Sequence, residues 1–206
     1  MGKQVSSSGT SAAHEITIEV AIALIPWVGG AASVLVGHHY RQRAEAYASA
    51  LAESLTEEQL HDLEDLIHHD EHLQDLLLDG VEAAMKTRVD AKRRALGRIL
   101  ASAISGPTSL DEIELIQAAL ADIEAAHARV LSVFVEKRDQ VLRSELEGAE
   151  PDLTSVLSHL LAALTRQGVI YQSMVDGGDA AGNSDPGYSL TEFGELLVQY
   201  LTDQVG

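Results

Sequence analysis

The sequence predicts a mainly α protein: an N-terminal helical hairpin and helical bundle, followed by a smaller α+β module with one small β-hairpin. Three observations carry that expectation. Aromatic residues make up only 4% of the 206 residues and prolines number four, while Ala and Leu are abundant; this composition favours helix over sheet. Apolar residues recur at helical spacing through most of the chain, punctuated by capping signatures. A β-branched and aromatic run, "VIYQSMV", appears only after Pro151, and its type and length suit a strand.

The stretch 1–12, "MGKQVSSSGTSA", is small and polar and reads as a disordered tail. It lacks the basic cluster, apolar run and cleavage site of a signal peptide, so a cytoplasmic location is expected. From Ala13 to Ile25 the pattern is helical and apolar. Pro26 then removes a backbone donor, and Gly29-Gly30 loosen the chain just beyond, so a turn is expected. A second helix runs on from about Gly30 and grows more polar after Gly37.

Thr56 followed by Gln59 is a capping-box signature, which starts a helix at "TEEQLHDLEDLIHHD". At 100° per residue, Leu60, Leu63, Leu66 and Ile67 share one face of it. Asp70 would point into that apolar face, so it reads instead as the N-cap of "EHLQDLLLDGVEAAMK". A further helix covers about Asp90 to Ser105 and stops at "GPT". Thr108 or Ser109 caps the next stretch, "LDEIELIQAALADIEAAHARVLSVFVEKRD", either one long helix or two joined near Ile123. These elements make a bundle over 13–123 and leave 124–206 as a second domain.

In that second domain "DLTSVLSHLLAALTRQG" is an amphipathic helix ended by Gly168, and "VIYQSMV" and "YSLT" are paired strands around the loop "DGGDAAGNSDPG". Thr191 or Ser189 caps the closing helix. Helix, "RQGVI", hairpin, then "YSLTEFG" opening a last helix resembles the winged-helix superfamily over roughly 124–203. The resemblance implies a first helix at "AAHARVLSVFVEKR", residues 152–167 in the place of the recognition helix, and a wing carrying Tyr171, Asp176, Asp179, Asp185 and Tyr188. It implies a fold and no particular function.

Charge narrows the partners. The chain carries 14 Lys and Arg against 32 Asp and Glu, a formal net of −18, which repels phosphate backbones. From Glu145 to Gly206 one base, Arg166, faces ten acids, a net of −9. Winged-helix readers of DNA need cations at the recognition helix and wing, so a protein-interaction or dimerisation role is expected here, with a DNA-binding regulator as a second alternative. Between Glu57 and Glu82 there are ten acids and no Lys or Arg, while Lys86 to Arg98 holds six bases and one acid. Mutual attraction of these helices is the simplest expectation, each exposed pair contributing little.

There is no cysteine, which removes thiolate ligands and cysteine nucleophiles. No Gly-x-Ser-x-Gly elbow and no phosphate loop with its Lys occurs. No enzyme activity and no cofactor are expected. On one continuous helix His61, Asp65, His68 and His72 would form a stripe able to chelate zinc, but a break at Asp70 separates His72, and a solvated face is the simpler reading.

Ile16 to Gly37 is the most apolar segment, with Glu19 its one charge. Its length meets the span of a bilayer, but Pro26, Gly29 and Gly30 at its centre disfavour one straight helix. Trp27 lies at the turn, and Gly29, Ser33 and Gly37 recur at intervals of four, which lets a second helix approach closely. The expectation is a cytoplasmic, non-enzymatic protein that forms a homo-oligomer and binds a protein partner. The alternative is a membrane-acting bacterial effector of self-limiting or defence type that inserts the 16–37 hairpin.

Overall fold

The computed structural model describes residues 34–106, 109–137, 139–173 and 185–202. Among them it is mostly helical, with a small three-stranded antiparallel sheet in the C-terminal region, as the composition predicts. The chain divides into two compact units, one up to Ala121 and one from Asp122. The apolar positions Pro26, Trp27, Gly29, Gly30 and Ser33, the first helix and the polar tail lie outside the described residues.

In the first unit, α1 (Val34–Ser54) is followed by α2 (Glu57–His61), α3 (Leu63–His69), α4 (Glu71–Lys86), α5 (Asp90–Ser105) and α6 (Leu110–Asp122). Local chemistry sets most of these boundaries. The Thr56 hydroxyl accepts from the Gln59 N–H at 3.2 Å while the Gln59 side chain accepts from the Thr56 N–H at 2.9 Å, the expected capping box. The Asp70 carboxylate accepts from the N–H groups of His72 and Leu73 at 3.0 and 3.2 Å, so Asp70 does start α4. Gly106 ends α5 with φ of 76°, a left-handed conformation that suits glycine. The Ser109 hydroxyl accepts from the Glu112 N–H at 3.3 Å.

Cations from neighbouring helices meet helix C-termini, where unpaired carbonyls carry negative partial charge. Arg43 of α1 donates to the Met85 carbonyl at the end of α4. Lys92, only 3% exposed, donates to the Ala121 carbonyl at 2.6 Å. The ion pairs described for the basic stretch include Lys86 with Glu82, and Arg93 and Arg94 with Asp90, each within one helix. One difference from expectation is Leu66, which is 40% exposed while Leu63 is buried. The chain breaks at Asp62 between α2 and α3, so Leu60 and Leu66 do not share one uninterrupted helical face.

The core of this unit is built where helices touch. Tyr47, Leu51, Leu96, Ile99, Leu100, Ile113 and Ile116 are fully buried. At Gly97 of α5 a Cβ would lie 2.3 Å from the Tyr47 carbonyl oxygen and 3.0 Å from the Leu51 nitrogen, so α1 and α5 meet backbone to backbone. Gly80 of α4 faces the other end of Tyr47, where a Cβ would lie 2.9 Å from its hydroxyl oxygen.

The second unit begins at the break after α6. The long predicted stretch is two helices, and Glu124 donates its N–H to His127 Nδ1 at 3.2 Å at the start of α7 (Ala125–Lys137). Two elements were not predicted: β1 (Val141–Leu142) and α8 (Arg143–Ala149). A 3₁₀ turn at Pro151–Leu153 precedes α9 (Leu157–Arg166), which is shorter than the 152–167 expected. Then come β2 (Ile170–Ser173), β3 (Gly187–Leu190) and α10 (Glu192–Leu201). The sheet order is β1-β3-β2, antiparallel throughout, with Tyr188 paired to both Val141 and Gln172.

The motif "LTEFG" has a physical explanation here. Thr191 Oγ1 accepts from the Gly194 N–H at 2.9 Å and donates to the Gly168 carbonyl at 2.5 Å, and the Thr191 N–H donates to the Val169 carbonyl at 3.1 Å. Gly194 carries no Cβ because one would lie 1.9 Å from that same Val169 oxygen. One residue caps the helix, and the other lets it close onto the turn.

Glycine-to-alanine changes therefore have opposite signs at different places. Alanine favours helix over glycine by about 1 kcal/mol, but overpacking costs about 1–3 kcal/mol. Gly97→Ala and Gly194→Ala are expected to lower the thermal midpoint of their units. Gly148→Ala in α8, where nothing lies within 4 Å of the place a methyl would take, is expected to stabilise by about 0.5–1 kcal/mol. Calorimetric unfolding of the three variants checks this.

Candidate interaction surface

The second unit is where the sequence places a partner surface. Its cations are few: Arg129, Lys137, Arg138, Arg143 and Arg166, of which Arg138 lies outside the described residues. Arg129 of α7 pairs with Glu150 and, at 2.9 Å, with Asp152. Lys137 Nζ lies 2.8 Å from Glu145, and Arg143 Nε 2.8 Å from Glu147. Among the described residues Arg166 alone of these cations has no ion-pair partner. These contacts tie α7 to the start of α8 and to the 3₁₀ turn, so the cations serve the fold.

The pairs also set protonation. The Arg129 guanidinium, hydrogen-bonded to Asp152, holds that carboxyl below its ordinary range. Lys137 does the same to Glu145, helped by the Leu142 N–H that Glu145 accepts at 2.9 Å. Glu150 and then Asp152 raise Arg129, and Glu147 raises Arg143.

The loop after β2 is held at both ends by the β1–α8 junction. The Gln140 side chain lies over Gly187, where a Cβ would sit 2.4 Å from Gln140 Nε2, and donates to Ser173 Oγ at the end of β2. The Arg143 N–H donates to the Pro186 carbonyl at 3.0 Å, and the Ser144 N–H to the Asp185 carboxylate at 3.2 Å. Asp185, expected at the wing tip, is thus at the loop's base and caps α8. Asp176 and Asp179 lie outside the described residues. Tyr188 is 8% exposed, a sheet residue rather than a contact residue, whereas Tyr171 on β2 is 49% exposed.

On α9 the outward positions are Ser158, His159, Ala162, Thr165 and Arg166, while Leu157, Leu160, Leu161 and Leu164 are buried. Val156, just ahead of the helix, is 41% exposed. This face offers hydroxyls, one imidazole, small apolar groups and one cation.

The histidine group is spread over three helices: His61 ends α2, Asp65 and His68 lie on α3, and His72 opens α4, where its Nδ1 is 3.6 Å from Glu114 of α6. Among the described residues no three His, Asp or Glu side chains come together as a metal site. Gly37 lies on α1. No described helix is long and apolar enough to cross a membrane. Arg129, Lys137, Gln140 and Arg143 were not singled out from the sequence. The i, i+4 spacing of Arg143 and Glu147 was available as a signal, but nothing local announces a pair 21 residues apart. No protein-family model, curated protein or solved structure matches the chain.

The pairing predicts an acid limb. Carboxylates with lowered pKa contribute stability that is fully present above the ordinary carboxylate range, about pH 5, and lost as pH falls through their lowered values. Thermal melts of the second unit are expected to hold steady from pH 7 to 5 and weaken toward pH 3. Changing Arg129→Gln and Lys137→Gln together should flatten that limb; an unchanged acid slope would show that other carboxylates cause it.

Proposed function

We propose that this chain is a non-enzymatic interaction protein whose acidic second unit is a winged-helix-like module that binds protein rather than nucleic acid, and that it self-associates. The order helix, short strand, helix, helix, hairpin, with the sheet arranged β1-β3-β2, supports the likeness. The observation that carries the partner class is the state of the cations: Arg129, Lys137 and Arg143 are each held by carboxylates of the same unit. Phosphate contacts supply most of the affinity of a DNA reader, and few cations are left to make them.

A membrane-acting effector is the second reading, with the 16–37 hairpin as the inserting element and the membrane as its partner. What favours it is the position of that apolar segment directly ahead of the polar part of α1, with Trp27 at its expected turn. A DNA-binding regulator is supported only by the order of elements.

Three measurements separate these readings. Light scattering is expected to give a mass of at least twice 22.0 kDa, and a duplex DNA shift at low salt is expected to be absent. Sedimentation with anionic and neutral liposomes is expected to leave the chain in the supernatant. A strict monomer that captures no protein would overturn the first reading, and quantitative pelleting with vesicles, abolished by Ser33→Leu, would establish the second.

A further inference from the structure

The first unit carries opposite charge at its two ends. Arg43 of α1 donates to the Met85 carbonyl at the end of α4, and α4 turns into α5 through Thr87, Arg88 and Val89. Arg43, Lys86, Arg88, Arg93 and Arg94 therefore gather around that one turn. The other end is where α4 starts and α5 finishes. There the Gln59 amide of α2 donates to Ser105 Oγ at the end of α5 at 3.4 Å, and the Gln74 amide of α4 donates to the His68 carbonyl of α3 at 3.2 Å. Those bonds hold α2 and α3 at the far end, with Glu57, Glu58, Asp62 and Asp65 exposed on them.

Neither end is neutralised from within. The acids near the basic turn are Glu45, Glu82 and Asp90, and the last two already pair with Lys86, Arg93 and Arg94. Arg88 is exposed and forms no ion pair among the described residues. At the far end no Lys or Arg occurs between Glu57 and Glu82, and none of Glu57, Glu58, Asp62 and Asp65 forms an ion pair among the described residues. The 16 residues of α4 set the two ends about 24 Å apart, about three Debye lengths in physiological salt. The two charges cannot compensate each other within one molecule, but they can between two.

We infer that the first unit self-associates through its unlike ends, the Arg88 turn of one copy seated on the α2–α3 carboxylates of a second copy. The inference rests on the self-association proposed above and names its surface. A lipid or nucleic-acid surface would satisfy the basic end alone and leave the carboxylates uncompensated, whereas a second copy satisfies both kinds of end. Leu66, 40% exposed beside Asp65, and Val89, half-buried beside Arg88, add an apolar component to the contact.

Charge reversal in the full chain tests it. Arg88→Glu with Arg94→Glu makes the basic end acidic, and Glu57→Lys, Glu58→Lys, Asp62→Lys and Asp65→Lys together make the acidic end basic. In sedimentation equilibrium each variant alone is expected to self-associate at least about tenfold more weakly than the wild type, and their equimolar mixture to recover to within about threefold of it. The lysine variant moves the chain from −18 toward neutrality, so its loss of association reports the contact and not net repulsion. Should that variant unfold by circular dichroism, the milder Glu58→Gln with Asp65→Asn is expected to weaken association in the same direction. Variants that associate as the wild type does would overturn the inference and leave the self-association itself standing; a wild type that stays monomeric would overturn both. A mixture of folded variants that fails to associate would also overturn the inference. So would pelleting of the wild type with phosphatidylserine vesicles that is lost in Arg88→Glu with Arg94→Glu, since the basic end would then belong to a lipid surface.

Discussion

The first unit depends on the contact between Gly97 and the backbone of Tyr47. Helices that touch through side chains sit about 8–10 Å apart; a glycine lets them come closer, and no side chain can replace it without moving one of them. Because α1 is drawn onto α5 at this point, the Tyr47 ring is aimed away from α5 toward α4, and Gly80 must be small to receive it. Gln117 then lies beside the same ring and reaches the Leu76 carbonyl. Three helices thus meet around the Tyr47 side chain, where the Tyr47 hydroxyl and Gln117 Oε1 are buried without a hydrogen-bond partner among the described residues.

The second unit uses the same device in another setting. Gly194 lets the start of α10 close onto the Val169 carbonyl, and Thr191 turns the contact into a cap. With α10 fixed on the turn after α9, β3 is held in register, and β1 completes the sheet from the far side. The β1–α8 junction then fastens both ends of the loop through Gln140, Arg143 and Ser144. The scarce cations are absorbed in holding α7 against this junction and the 3₁₀ turn. Arg129, Lys137 and Arg143 are engaged in this way, and the outward face of α9 carries hydroxyls, one imidazole and Arg166.

Much of the fold was legible in the sequence because its signals are local. Thr56 with Gln59, Asp70, Gly106, Gly168 and Thr191 each act over a short stretch of chain, so spacing alone places them. What escaped detection lacks such a signal. A strand of two residues has no period to read, and α8 opens at Leu142, which has no capping side chain of its own; Glu145 accepts from the Leu142 N–H, and the Ser144 N–H is met by Asp185, 41 residues away. Arg129 finds Glu150 only after the elements between them have folded. Leu66 looked like a core residue from its spacing to Leu63 on the same helix, yet of the two only Leu63 is buried.

The sequence by itself determined the class of the protein, its acidic balance, most helix boundaries and the hairpin near the C-terminus, since composition, periodicity and caps are properties of neighbours along the chain. Only the tertiary structure decided which glycines are contacts, that Asp185 is a cap, that three of the scarce cations are engaged and that the Tyr47 hydroxyl is buried without a partner. Those depend on distances between residues far apart in sequence. Such distances are fixed by the packing of whole helices, which no local pattern encodes.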